Sequence, residues 1–452
     1  MADSERKLLE RVQNKSFQLG DKEISTNIFQ GIKTSADHIY VLEKVSKDTY
    51  LYGYEKKAET VVIEDNLMRK IASGNRINRY ETPIVDFYLL FPYDFSKSKP
   101  ALYTQDVLKE KFPHAWEYLC KHEKELRGRE RKRFDNDGWY CFSRPQNLDK
   151  QYLPKLTVAG TAPELRISCD ESGELSSLGG RVYCILPTEK NEIHFLQGIL
   201  NAHLPNFVFK RIARPKSGGF FDAETQFLAP LPIPKATEEE KAKVSEHAKN
   251  LQKLHTKRRD LVVKCNKRLN SSQTEPDKRK ETWLWADVGT TASWKKSPQA
   301  PEGLKGALLT AWAKEMATSK RQTHYEEWDA RLHPGASITV EHTDDELRLK
   351  IDGILGLELF DEPDTPFIAA QWRLATRDLN ITEKFTARRL VTKLLALRKT
   401  DHGALKERVI SLDDEITVLD NQIGTAENVM NELVYSLYGL TREEIAVVEA
   451  GA

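Results

Sequence analysis

The chain has no apolar run near the eighteen or so residues that a helix needs to cross a bilayer. Its opening residues, MADSERKLLERVQNK, lack the apolar core of a secretory signal. Cysteine is scarce: Cys120, Cys141, Cys169, Cys184 and Cys265 stand far apart, odd in number, with no C-x-x-C pair. That spacing excludes a disulfide framework, and the sequence is read as a reduced, cytoplasmic protein without a structural zinc site. Net charge is missing too. At +1 over 452 residues no global field draws this protein to a polyanion, and any such attraction must come from local clusters.

Catalytic signatures are equally absent. There is no G-x-x-x-x-G-K-[ST] phosphate loop, no H-E-x-x-H, no G-x-S-x-G and no G-x-G-x-x-G. Gly179–Gly180 and Gly218–Gly219 lack the helix opening that a phosphate cradle requires. Glu358 has no lysine two residues on, the offset of a nuclease carboxylate–lysine site. His194 and His203 sit on one helical segment and at its exit, and read as polar packing residues rather than bases. Neither an enzyme nor a cofactor site is expected from these residues.

What remains is a chain with 39% apolar and 30% charged residues, enough for a core in two to four domains. Patterning divides it into an N-terminal lead-in helix (1–24, with Leu8, Leu9 and Val12 on one side), a mixed β-rich domain (25–234), a long helix (235–270), a tryptophan-rich α+β region (271–400) and a C-terminal helix (401–452). The expected fold class is α+β. Within the β-rich domain, strands are expected near Asn27 to Leu42, Tyr88 to Tyr93, Trp139 to Arg144, Lys155 to Ala159, Leu165 to Cys169 and Val182 to Leu186. Helices are expected over Asn66 to Ala72 and Phe112 to Leu126. The long helix opens on Thr237 with Glu240 three residues on, a capping box, and Ser271 to Lys280 reads as a linker. In the C-terminal helix Leu405, Val409, Leu412, Ile416, Leu419, Ile423, Ala426, Met430, Leu433 and Leu437 alternate steps of four and three. That is an a/d seam of roughly 50 Å. Its partner is either the 237–269 helix, running antiparallel, or a second copy of the chain.

Two stretches carry charge of one sign. Asn206 to Phe221 places Lys210, Arg211, Arg214 and Lys216 among Phe207, Phe209, Phe220 and Phe221 without an acidic residue. Arg127 to Phe134 sets Arg127, Arg129, Arg131, Lys132 and Arg133 against Glu130 alone. Each is either a solvated face or a surface that neutralises phosphates, with flat rings beside it for bases or sugars.

The order of motifs resembles the C-terminal target-recognition region of large adenine-specific DNA methyltransferases, including fused Type IIG restriction–modification enzymes, the TaqI-like specificity domain and related phage-defence systems such as BREX. Ile28 to Leu42 resembles the family's G-I-x-T-G-x-D turn. Gly74, Arg76, Ile77, Arg79 and Tyr80 resemble its G-R-D-I-x-R-Y element, with Asn75 and Asn78 departing from it. Phe112 to Pro145 is similar to its passage ending in W-Y and R-P, Leu153 to Asp170 to its P-K-I segment, and Phe195 to Pro234 to its L-L-N-S helix and closing L-P-I-P. Leu433 to Val448 is similar to a common ending of these proteins. The resemblance covers about 25–270 and 400–450 and leaves 281–399 unplaced.

The resemblance implies a DNA-binding specificity subunit or fragment. Lys33, Arg76, Arg79, Arg127, Arg129, Arg131, Lys132, Arg133, Tyr140, Arg144, Arg166, Arg181, Lys210, Arg211, Arg214 and Lys216 are its candidate contacts to double-stranded DNA. The family's S-adenosylmethionine loop and Asn-Pro-Pro-Tyr tetrad occur nowhere in these residues, so the cofactor and the flipped adenine are expected on a methyltransferase partner. Two other readings stay open: a methyltransferase or nuclease that is catalytically incomplete in this chain, and a coiled-coil interaction module without DNA binding, self-associating through its last helix.

Overall fold

The structure is a computed structural model that describes residues 3–52, 58–72, 74–96 and 99–451. It is α+β, with small, mostly antiparallel sheets and separate long helices. Contacts divide the chain into two units, Met1–Thr256 with Gln422–Ala452, and Lys257–Asn421.

The first unit is built around a four-stranded sheet in the order Ile167–Asp170, Lys155–Ala159, Val182–Pro187, Ser25–Gln30. The strands Lys155–Ala159 and Val182–Pro187 are buried at every position. Because side chains alternate across a pleat, Leu156, Val158, Tyr183 and Ile185 pack against the helix Ile193–Asn201, while Ala159, Val182, Cys184 and Leu186 face a second cluster with Phe29, Ile77 and Leu175. A six-stranded sheet follows, ordered Ser176–Ser177, Met68–Ala72, Val85–Leu90, Val41–Ser46, Thr49–Tyr52, Glu59–Val62. Its core closes on the helices Gln105–Lys111, Pro113–Lys121 and Glu123–Lys132. The lead-in helix Asp3–Lys15 buries Leu8, Leu9 and Val12.

Four local expectations are corrected. Asn66 to Ala72 is a single 3-10 turn, Asp65–Leu67, followed by the strand Met68–Ala72. The three-residue step from Met68 to Ile71 suits a helix, but the backbone of Val85–Leu90 is satisfied only by an antiparallel neighbour, and the strand pairs Met68 with Leu90. Phe112 to Leu126 is two helices broken at His122, whose ring packs 4.8 Å from Tyr52 and 4.9 Å from Tyr118. Trp139 to Arg144 is a run of turns that touches a strand partner only where Arg144 bridges Lys33. Finally, Ser271 to Lys280 is not a bare linker, since Glu275–Pro276 pairs with Arg398–Lys399.

The long helix Glu238–Leu269 starts at the expected cap: the Thr237 amide donates to Glu240 at 2.8 Å, and the Glu240 amide donates to the Thr237 hydroxyl at 3.3 Å. In the first unit its Val244, Ala248 and Leu251 share a core with Met430 and Val434 of the helix Gly403–Leu437, and His255 meets Glu427 at 3.1 Å. In the second unit Cys265 and Leu269 pack with Leu405, Val409, Leu412 and Ile416. The a/d seam is thus covered within the chain. Near its end burial passes from Leu433, half-buried, to Val434, fully buried, the drift of a 3.6-residue helix against a 3.5-residue repeat.

The second unit places the helix Thr365–Thr376 on a three-stranded sheet, Ile338–His342, Glu346–Ile351 and Ile354–Phe360. Trp285 is the hub of its aromatic core, stacked on His324 at 4.8 Å and edge-on to Tyr325 and Trp328. No helix of the described residues is long and apolar enough to cross a membrane.

Candidate nucleic-acid interface

The GIKTS turn lies where three backbones converge. A Cβ on Gly31 would stand 2.1 Å from the Ser177 carbonyl oxygen, so only glycine allows the approach. Thr34 donates to the Asp37 carboxylate at 2.6 Å and accepts from the Ala36 amide, which closes the turn and leaves Lys33 exposed. The Ser35 hydroxyl lies 3.0 Å from the Glu130 carboxylate and 2.7 Å from the Ser143 hydroxyl, which donates to the Lys33 carbonyl. The Arg144 amide donates to the same carbonyl at 3.0 Å. Loops from three distant parts of the chain are thereby tied together.

Arg129 is the clamp beneath them. It is 7% exposed, and its guanidinium donates to the carbonyls of Leu126, Thr34, Trp139 and Cys141 at 2.5 to 2.9 Å while covering the Phe134 ring. Immediately after it Glu130, Arg131 and Lys132 all take left-handed backbone, with φ of 47°, 60° and 66°. Each such non-glycine residue costs about 1–3 kcal/mol and persists only when its surroundings over-determine it. The clamp does so from one side. Glu130 does so from the other, through Arg144 at 3.0 Å and Arg133 at 3.6 Å. The Arg144 hydrogen bond, with help from Ser35, holds the Glu130 carboxyl below its usual range. The result is that Arg131, Lys132 and Arg133 leave the helix line and face water.

Two further loops join this group. Arg181 is exposed, its guanidinium 3.7 Å from Asp37. Its carbonyl accepts from the Gly160 amide and would lie 2.3 Å from a Cβ on Gly74, so the Gly74–Arg76 turn abuts it with Arg76 exposed. From Gly160 the chain runs into Thr161–Ala162, which pairs with the strand Phe220–Asp222 of a hairpin whose other strand is Pro215–Lys216. Gly218 and Gly219 form its tip at φ of 86° and 76°. Lys216 is ion-paired with Asp222, and Arg214 is exposed. Lys33, Arg76, Arg131, Lys132, Arg133, Arg144, Arg181, Arg214 and Lys216 therefore belong to one succession of touching loops. The side chains of Lys33, Arg131, Lys132 and Arg214 have no hydrogen bond or ion pair among the described residues.

The other sequence candidates are buried, half-buried or held by partners elsewhere. Arg129 is the buried clamp just described. Tyr140 is 2% exposed and donates to the Tyr103 carbonyl at 2.6 Å. Arg79 donates to the Asn201 carbonyl and meets Glu427 at 3.4 Å. Arg211 lies 3.3 Å over the Phe207 ring and binds Glu5 at 2.5 Å. Arg127 is neutralised by Glu123 and Asp135, and Arg166 sits 3.5 Å from Glu164. Lys210 is half-buried, and burial lowers the pKa of its ammonium. The basic–aromatic stretch 206–221 thus splits in two. Phe207 and Phe209 are core residues of the helix His203–Ile212, and only Arg214, Lys216 and the hairpin tip belong to the surface. Glu130 was missed as an organiser. In the sequence it only offsets the cluster's charge, and no local signal marks its partners, Arg144 and Ser35.

No family model matches the chain. It is similar to the Type II methyltransferase M.BanIII of Aneurinibacillus aneurinilyticus, 24% identical over 220 residues that make up 46% of this chain and 34% of the relative. It is also similar to the Type II restriction enzyme and methyltransferase RM.Eco57I of Escherichia coli, 24% identical over 241 residues, 50% of this chain and 24% of the relative. The chain is therefore a distant relative of Type II restriction–modification methyltransferases over about half its length, and the matched part spans about a third or less of theirs.

Proposed function

We propose that the chain binds double-stranded DNA through the Lys33–Arg144–Arg181–Lys216 surface. In this reading it is the target-recognition part of a restriction–modification adenine methyltransferase, and S-adenosylmethionine and methyl transfer belong to a catalytic partner. The observation that carries this reading is the convergence of loops around residues 33, 76, 131, 144, 181 and 216. They bring cations together and leave the side chains of Lys33, Arg131, Lys132 and Arg214 without partners among the described residues. Loops held on a rigid sheet are the usual place for recognition. Lysines and arginines there release counterions from phosphates and set register on the duplex, while bidentate arginines read guanine edges at about 1–3 kcal/mol each. The distant similarity to Type II methyltransferases supports the choice of DNA over another polyanion.

Selection from a random-sequence duplex pool by the purified chain tests this, with affinity followed against salt. An enriched motif, with affinity that falls steeply between about 50 and 200 mM salt, is expected. A flat salt response or no duplex binding sinks the proposal. Saturable S-adenosylmethionine binding by this chain alone overturns the division of labour with a partner.

A further inference from the structure

Away from the basic surface, three side chains able to ligate a metal meet on the flank of the four-stranded sheet. The ligating atoms of Cys169, Glu171 and His194 all lie within 4.8 Å of one another. Cys169 comes from the strand Ile167–Asp170 and is buried against the helix Ile193–Asn201. Glu171 follows that strand at the surface, in a turn that Asp170 pins. One Asp170 oxygen accepts from Ser172 and the Gly173 amide, the other from the Leu175 amide and from Lys155, which is fully buried. His194 lies in the first turn of the helix and is 4% exposed.

The hydrogen bonding of the ring fixes its orientation and aims Nε2 at a carboxylate. Gln197 donates its amide N–H to the Tyr80 carbonyl at 3.3 Å, which turns its oxygen toward His194 Nδ1 at 3.1 Å. His194 Nε2 faces the Glu171 carboxylate at 2.9 Å. Both ring nitrogens thus face oxygen acceptors, and a neutral imidazole has one N–H to give. With Nδ1–H given to Gln197, the place between Nε2 and the carboxylate takes either a proton or, in its stead, a metal ion. The Cys169 sulfur lies beside that position. Burial pushes its thiol strongly upward, so ligation would release its proton as the sulfur–metal bond forms.

We infer that Cys169, Glu171 and His194 form a three-ligand site for a divalent cation of the zinc class. One S, one N and one O donor with a fourth position open to water is a zinc-type set, and the Gln197–His194 bond is the outer partner that fixes the ring and its tautomer. Bonds of about 2.0–2.3 Å at tetrahedral angles call for a His194–Glu171 pair somewhat wider than its 2.9 Å, an adjustment that the exposed Glu171 side chain is free to make. The cation staples strand, turn and helix at the base of the central sheet.

The test uses the full chain, stripped with a chelator and titrated with cobalt(II) as the spectroscopic probe. One equivalent should bind with a thiolate-to-cobalt charge-transfer band and the d–d bands of a tetrahedral site, and zinc should displace it. C169S should abolish the charge-transfer band, and H194Q and E171Q should each weaken binding at least tenfold. A folded wild type with no charge-transfer band overturns the site, as does equal binding by wild type and all variants. Should C169S or H194Q fail to fold, the wild-type band and the surface variant E171Q decide alone.

Discussion

Both units of this protein gather arginines, and they use them in opposite ways. In Lys257–Asn421 each arginine of the cluster meets carboxylates. Arg373 binds Asp413 at 2.6 Å, Arg377 binds Asp413 and Asp420, and Arg258 binds Asp420 at 2.5 Å and Asp378 at 2.9 Å, with the Asp413 side chain 1% exposed. In Met1–Thr256 the corresponding carboxylates are few. Glu130, Asp37 and Asp222 each touch one or two cations, and Lys33, Arg131, Lys132 and Arg214 are left facing water. Local charge count does not separate a structural network from a binding surface. What separates them is whether the fold delivers a counter-charge to each cation.

The largest effects should come from the two buried centres. Arg129→Met strips four carbonyls of their donor and should cost on the order of 3 kcal/mol, read by chemical denaturation, and duplex affinity should fall with it as the 130–133 loop relaxes. Asp413→Asn leaves Arg373 and Arg377 undercompensated and should cost about 3–5 kcal/mol, with duplex affinity unchanged at temperatures where the variant is folded. Equal loss of DNA binding in both variants would erase the distinction between the units.

Replacing Lys33, Arg131, Lys132 and Arg214 together by alanine should leave stability within about 0.5 kcal/mol for each residue. Affinity should fall alike on all sequences, and the log–log salt slope should shrink by about 0.9 for each phosphate contact removed. If the slope is unchanged, these residues do not touch the backbone of the duplex.

The smallest effect concerns pH. Glu130 has a carboxyl pKa below its unfolded value, so its contribution to stability is present above about pH 4.5 and is lost as pH falls through the depressed folded value. Wild type and Glu130→Gln should therefore differ most at neutral pH and converge in acid. A gap that widens below pH 4 would mean that Glu130 does not anchor the loop as a carboxylate.

Much of the first unit was legible locally. Lys155–Ala159 and Val182–Pro187 are short apolar runs between turn residues, Ile193–Asn201 carries a four-three apolar rhythm, and Thr237 with Glu240 marks a helix start through bonds three residues apart. Met68–Ala72 was not legible, because its conformation belongs to a pairing with residues 85–90. Nor was the candidate site. Arg129 and Arg131 look alike in the octet RGRERKRF, yet one is the clamp and the other is held in water.

By itself the sequence determined the α+β class, the long helices with their apolar seam, and the lack of the catalytic motifs sought in it, since each depends on residue types at short, fixed spacings. Tertiary structure alone decided which cations stay free. That outcome is set by carbonyls and carboxylates arriving from as far as 348 residues along the chain, at Thr34, Trp139 and Cys141 for Arg129 and at Asn201 and Glu427 for Arg79. An arginine's fate depends on its acceptors, and their approach is a property of the fold.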